Sequence, residues 1–291
     1  LKVKFIILFN FLILIISCSK PEVHYSTYTI AFTVYHNGIG NLYLIRSDGT
    51  GLRRLTTSTD TDMLPSWSGD NSKIIFRTNR DINYEIYSID TMGQNIKRLT
   101  ANEVDDCNPK CSPDGKWIAF ESLRDGNTEL YIMDTTGAEV KRLTNNTASD
   151  LNATWSPDGK EIVFSSDREG NYELYKMNLA SGELTRLTQT DSWEKFPAWS
   201  PDGKKIAFAS DRDNREGIYI MNSDGSHVTL LVEKGNHPDW APDQNQMVFL
   251  KNNGLRLGVY KINIDGTGLQ KITPDSLDAF SPVCEHPQPS L

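Results

Sequence analysis

Six phenylalanines divide this sequence at nearly equal intervals. Phe32, Phe76, Phe120, Phe164, Phe208 and Phe249 are spaced by 44 residues four times and then by 41, and Tyr43, Tyr87, Tyr131, Tyr175, Tyr219 and Tyr260 keep the same intervals. Thirteen residues after each tyrosine stands Thr56, Thr100, Thr144, Thr188, Val232 or Thr273. A period of about 40 residues sustained over a whole chain belongs to repeat architectures, in which each unit buries its faces only against its neighbours.

The unit around Trp155 shows what is being repeated. "NATWS" reads as a first strand, and "PDG" turns the chain, with Pro157 presetting φ and Gly159 able to take a positive φ. "KEIVFSS" and "YELYKMN" alternate apolar and polar residues, and a turn at Gly182 leads into "ELTRLT". The turn glycine recurs as Gly49, Gly93, Gly137, Gly182, Gly225 and Gly266, and no segment carries a helical apolar period. Four strands in about 44 residues make one propeller blade. The expected fold is therefore all-β, a six-bladed β-propeller of four-stranded blades over residues 29–284, with 285–291 as a tail.

The two ends are complementary. The first unit opens at "TIAFTV", with no Trp-Ser-Pro strand before it, while "DSLDAFSPVC" from Asp275 aligns with "DSWEKFPAWS" from Asp191. This alignment puts Phe280 at the place of Phe196 and Val283 at the place of Trp199. One C-terminal strand is expected to join three N-terminal ones and close the ring.

Ahead of the repeats, Lys2 and Lys4 precede an apolar stretch from Phe5 to Ile16 that ends on Ser17 and Cys18. Residues 1–17 read as an export signal, too short to span a bilayer as a helix. "IISC" resembles a bacterial lipobox, which implies that Cys18 is lipidated, that residues 18–28 form a short linker, and that the protein is anchored to a membrane facing the periplasm or the exterior. Ser19 after the cysteine points toward the outer membrane. The formal net charge of -8 and the absence of Lys or Arg runs exclude nucleic acid as the expected partner. Cys107, Cys111 and Cys284 are then an odd set, and two cysteines four apart on a strand lie too far apart to bridge, so no disulfide framework is expected.

The consensus "WSPDGKxIAFxSDRxGNxELYxMDxxGxxxxRLT" resembles the Trp-Asp-like propeller repeats of the TolB C-terminal domain family, over residues from about 29 to 284. The resemblance implies a periplasmic protein-interaction propeller. It covers only the propeller half of TolB, so a lipoprotein variant without the N-terminal α/β domain is expected. The same repeat occurs in propellers of prolyl-oligopeptidase-type peptidases and oligogalacturonate lyase-like proteins, so function has to be argued from sites.

No G-x-S-x-G elbow with a following α/β domain is present, and the five histidines show no ligand spacing. The repeat register nevertheless aligns Asp62, Asp106, Asp150, Glu194, Gly235 and Asp278 five residues before the Trp position. Five acidic positions where outer strands lead to inner ones would surround a channel mouth, able to hold Ca²⁺ or to steer a basic peptide. Each could equally cap its own loop. Arg80, Arg124, Arg168 and Arg212, on the turn between second and third strands, are expected to make turn or blade-to-blade contacts, and the four tryptophans of the repeat to pack between blades. Trp193, in a loop where other units have small residues, is a candidate partner contact. So is His237, at the position of Leu64, Asn108, Asn152, Phe196 and Phe280. The function expected is a non-catalytic, monomeric interaction module binding an envelope protein or peptide, with a glycan-binding or lyase-like propeller using a channel metal as the alternative.

Overall fold

The computed structural model describes residues 27–254 and 256–286; the expected signal segment, Cys18 and most of the linker and tail lie outside the described residues. Blade 1 begins with β1 (Thr29–His36), β2 (Ile39–Arg46) and β3 (Arg53–Arg54). Blade 2 is β4 (Asp62–Trp67), β5 (Lys73–Thr78), β6 (Glu85–Asp90) and β7 (Lys97–Arg98), and blade 3 is β8 (Asp106–Cys111), β9 (Trp117–Ser122), β10 (Glu129–Asp134) and β11 (Lys141–Arg142). Blade 4 follows with β12 (Asp150–Trp155), β13 (Glu161–Ser166), β14 (Glu173–Asn178) and β15 (Leu184–Arg186). Blade 5 has β16 (Glu194–Trp199), β17 (Lys205–Ser210), β18 (Gly217–Asn222) and β19 (Thr229–Glu233), and blade 6 has β20 (Gly235–Trp240), β21 (Gln246–Asn252), β22 (Leu257–Asn263) and β23 (Gln270–Lys271). The last strand, β24 (Ala279–Cys284), is the innermost strand of blade 1, in the order β24-β1-β2-β3. The ring closes as the sequence implies.

All six sheets are antiparallel meanders. The repeating phenylalanines sit at 0% exposure on the second strand of each blade, each beside the tyrosine of the third. Burying such a side chain stabilises the fold by about 1.5–3 kcal/mol, so the six together form its main apolar scaffold. Six apolar clusters lie between successive blades rather than at the ring's centre, including one that joins Val283 of the last strand to Leu42, Trp67 and Phe76. The threonine of the "LT" pair accepts a hydrogen bond from the third-strand backbone in five blades, Thr100 Oγ1 from Ile86 N at 2.9 Å and Thr144 Oγ1 from Leu130 N at 2.9 Å among them. It satisfies a backbone donor that the short outermost strand does not reach.

The "WSPDG" pentapeptide is structural. Ser156 Oγ donates to Asp158 Oδ1 at 2.7 Å and accepts from Glu161 N, while Asp158 accepts from Lys160 N, and Gly159 has φ 69°. Three of the four repeat tryptophans staple their blade to the preceding inner strand: Trp67 Nε1 donates to the Val283 carbonyl, Trp155 Nε1 to that of Lys110 and Trp240 Nε1 to that of Ala198. Cys111 and Cys284 replace Trp in two blades, and there the backbone N–H itself donates to a neighbouring side chain, Ser66 or Asp239. Cys107, Cys111 and Cys284 are unpaired, and burial pushes the Cys107 and Cys111 thiols up to about 11.

One register correction follows from the seam. Ala279 pairs with Val34 and Cys284 with Ile30, as Asp62 pairs with Thr78 and Trp67 with Ile74 one period later. Cys284, not Val283, therefore takes the place of Trp199, and Ser281, not Phe280, that of Phe196. The matching of Phe280 to Phe196 in the sequence is one residue out. The prolines carry the true register, since Pro65, Pro109, Pro197, Pro238 and Pro282 all lie two residues before the Trp position.

Candidate functional site

The innermost strands carry a bulge that shapes the channel. Between Met63 and Ser66 two residues oppose one on β5, and the same shift recurs in the other five blades. The extra residue is left-handed in every blade: Leu64, Asn108, Asn152, Phe196, His237 and Ser281 have φ between 48° and 56°. Asn accepts this conformation readily, but Leu, Phe and His do so at a cost of about 1–2 kcal/mol. The following proline is tolerated because the innermost strand is a sheet edge and its missing N–H breaks no ladder. The bulge brings the third residue of every inner strand, and the following proline in four of them, to the centre. It builds a cavity of about 160 Å³ lined by the six left-handed residues with Lys110, Glu121 and Asp239.

Within this cavity Glu121 Oε1 accepts from Asn108 Nδ2 at 2.7 Å and from Asn152 N at 2.6 Å, and Asp239 Oδ2 accepts from Cys284 N at 2.7 Å. Burial pushes both carboxyls up and the Lys110 ammonium down; attraction of Glu121 to Arg77 and Lys110, and of Asp239 to His286 and Lys110, opposes those shifts. His237 stacks on Phe196 with ring centroids 3.7 Å apart. Its Nδ1 is buried without a partner, and desolvation lowers its pKa to about 4.

On one face of the ring the loops between second and third strands meet those from outer to inner strands. There Tyr35 packs edge-on against Phe280 at 4.9 Å, Arg77 lies over the Tyr84 ring at 4.4 Å, and Lys195 lies over the Tyr172 ring at 3.8 Å. Trp193 is half-buried on the same face, its backbone N–H donating to Asp211 Oδ1. Arg77 and Lys195 stand at variable positions of the repeat, and Tyr84 and Tyr172 share another, three residues before the repeat tyrosine; charged and aromatic residues at variable positions are the signal by which sequence reading could have found them.

The acidic ring expected at this mouth does not form. Asp62, Asp106, Asp150 and Glu194 do open their inner strands, but at 0% exposure they point into their own blades. Arg80 reaches Asp62 at 2.8 Å, Arg124 reaches Asp106 at 3.0 Å, Arg168 reaches Asp150 at 3.0 Å and Arg212 reaches Glu194 at 2.8 Å. Each guanidinium also covers the tyrosine of its own blade, Arg168 lying 4.5 Å from the Tyr175 centroid. The arginine turns are thus clamps within a blade, and the acids cap loops through them. Asp278 falls outside the set by the one-residue shift: Ala279 occupies the acidic position, and Asp278 accepts from Leu257 N as Asp105 accepts from Tyr84 N. Ca²⁺ has no donor set here, because the carboxylates diverge and are already paired; among the described residues no three His, Cys, Asp or Glu side chains converge as metal ligands. A second buried set, Glu85, Glu129 and Glu173, was not legible as a site; each pairs with Arg98, Arg142 or Arg186 thirteen residues on.

The TolB β-propeller domain profile matches residues 16–122 and 104–283. This chain belongs to the TolB β-propeller domain family. Among solved structures, TolB from Acinetobacter baumannii is similar with a TM-score of 0.82 and 26% identity, over 88% of this chain and 66% of that one. This chain thus spans just under two thirds of that TolB's length. A putative TolB from Agrobacterium tumefaciens matches with a TM-score of 0.70 and 21% identity, over 87% of this chain and 96% of that one. An oligogalacturonate lyase in complex with manganese shares the fold with a TM-score of 0.57 and 19% identity, over 84% and 73% of the two chains. No curated protein matches the sequence.

Proposed function

We propose that this TolB-family propeller is an exported, lipid-anchored protein of the bacterial cell envelope that binds a segment of an envelope protein at the loop-face mouth of its channel, without catalysis. The observation that carries this reading is the composition of the mouth. Tyr35 with Phe280, Arg77 with Tyr84 and Lys195 with Tyr172 form three aromatic pairs on the loop face of a ring of strands. Aromatic rings and arginine contribute most of the energy at protein interfaces, and a preformed scaffold lowers the ordering cost of binding. The apolar leader ending at Cys18 supports export and anchoring, and membership of the TolB family supports an envelope setting.

Crosslinking in native envelopes tests the reading. The full chain is expected to capture one reproducible protein partner, with capture reduced at least about tenfold by Tyr172→Ala, a loss of ~1.4 kcal/mol or more. Cys18→Ser is expected to release the protein from the membrane fraction. The lyase-like alternative rests on shared fold alone, and a rise in double-bond absorbance on incubation with polyuronate and manganese would overturn the non-catalytic proposal.

A further inference from the structure

The charged side chains of the channel differ in how far they are already satisfied. Nearly every partly buried arginine of blades 2–5 has a carboxylate in contact; among the described residues Arg77 has none within 4.0 Å. Arg77 pairs across the sheet with Met63 as Glu121 pairs with Cys107 one blade on, so it holds the register position from which Glu121 lines the cavity. Its Nη1 donates to Cys107 Sγ at 3.0 Å, its Nη2 to Met63 Sδ at 2.9 Å, and its Nε is buried without any partner. Sulfur is a weak acceptor, so this guanidinium is held in place without a carboxylate in contact, Glu121 attracting it only from farther off.

Two lysines share this condition. Lys110 lines the cavity one blade on, and Lys195 lies at the mouth over Tyr172; among the described residues neither ammonium has a carboxylate oxygen within 4.0 Å. The two channel carboxylates are better served. Glu121 accepts two hydrogen bonds at one oxygen and Asp239 one from backbone. Among the described residues, three cations without a carboxylate in contact thus stand near two acids already engaged by N–H donors; Glu121 attracts Arg77 and Lys110, Asp239 attracts Lys110 and Asp167 attracts Lys195 only from beyond contact distance. A desolvated cation lacking an acceptor gains more from a ligand than a carboxylate that has one.

We infer that the channel receives a carboxylate group from an acidic segment of the partner, held by Arg77 at the mouth and Lys110 below it, with Lys195 on the approach. This names the partner chemistry of the site and rests on the proposed function. The planar guanidinium, fixed by two sulfurs and a tyrosine face, suits a two-point contact with carboxylate oxygens. The sign is opposite to the one the sequence register suggests, because the repeated acids are turned into the blades and the channel keeps cations without a carboxylate in contact beside Glu121 and Asp239, which N–H donors already engage.

Calorimetric titration of the full chain with acetylated hexapeptide amides alternating Gly with Glu, Gln or Lys tests this. The Glu peptide is expected to bind saturably and to weaken with added salt, while the Gln and Lys peptides do not bind. Arg77→Met with Lys110→Met is expected to weaken the Glu peptide at least tenfold, with Arg77→Lys retaining part of it. Lys195→Met, on another blade, gives a second reading if the double variant melts early. Equal binding of the Gln peptide, preference for the Lys peptide, no binding of the Glu peptide, or unchanged affinity in the variants overturns the inference. Glutarate binding as tightly as the Glu peptide also overturns it, by showing a small-molecule site. An envelope partner captured equally by wild type and double variant overturns this inference and leaves the proposed function standing. A Glu peptide that binds while no partner is captured does the reverse.

Discussion

In blade 3 the loop face is tied down by two buried carboxylates, Asp106 with Arg124 and Glu129 with Arg142; in blade 1 the same two positions are Ala279 and Asn41, and no such pair exists. The strands differ in step. β9 and β10 are six residues long and joined by a six-residue loop, whereas β1 and β2 each run eight residues and turn at Asn37 and Gly38, with φ of 51° and 81°. Two left-handed residues make the tight hairpin turn that matches strand twist. Blade 6 follows blade 1, with Gly235 and Gly258 at the acidic positions and strands of seven residues. The loop face is therefore held in two ways. Where the connection is long, ion pairs organise it; where the strands extend, ladder hydrogen bonds replace the ions.

Four experiments would break or sharpen this contrast. The largest effect is expected from ending the chain before Asp275, which removes β24 and leaves an open edge on β1. The cooperative thermal transition by circular dichroism should be lost. An unchanged melting temperature would mean that the seam does not close the ring.

Next comes an exchange between the two kinds of blade. Asp106→Ala leaves Arg124 without its partner and should cost about 3 kcal/mol, the usual scale for breaking a buried pair. Ala279→Asp places a buried carboxylate where no arginine waits, and should also cost a few kcal/mol. Urea denaturation measures both, and an Asp that is neutral at Ala279 would show that the clamp position tolerates charge anywhere.

His237 gives a third, pH-dependent test within the channel. Its folded pKa is lowered to about 4, below the ordinary 6.5, so the unfolded chain takes up this proton first as pH falls. Stability present above pH 6.5 should decline down to about pH 4, by roughly 2–3 kcal/mol from this group. His237→Asn, which suits the left-handed backbone and cannot ionise, should flatten the profile in that window only.

The smallest effect separates two tryptophans of the same repeat. Trp155→Phe removes the N–H that serves the Lys110 carbonyl and should cost about 1–2 kcal/mol, whereas Trp199, whose Nε1 has no partner, should lose much less on the same change. Equal losses would show that packing, not the hydrogen bond, holds neighbouring blades together.

Much of the fold was legible because it is periodic. Phe, Tyr, Thr and turn Gly recur in step, and strand count, ring size and the shared seam blade all follow from the step. The one slip, matching Phe280 to Phe196, arose because an aromatic residue outweighed the proline at Pro282. The site was far less legible. Asp62 and Arg80 lie eighteen residues apart, and their partnership appears only when β4 and β5 are paired across the bulge. Asn108 and Asn152, just before Pro109 and Ala153, hinted at a left-handed position, but Leu64 and Phe196 hid it.

The sequence by itself determined the six blades, their register within one residue and the borrowed strand, because hydrophobic spacing and turn chemistry are local and are repeated six times. Only the tertiary structure decided which way each charge points. A carboxylate at the start of an inner strand can face a channel or a blade interior, and the arginine that lies within reach after folding selects the interior. The cations that face the channel, Arg77, Lys110 and Lys195, stand one to a blade at separate places, and only closing the ring brings them around one opening.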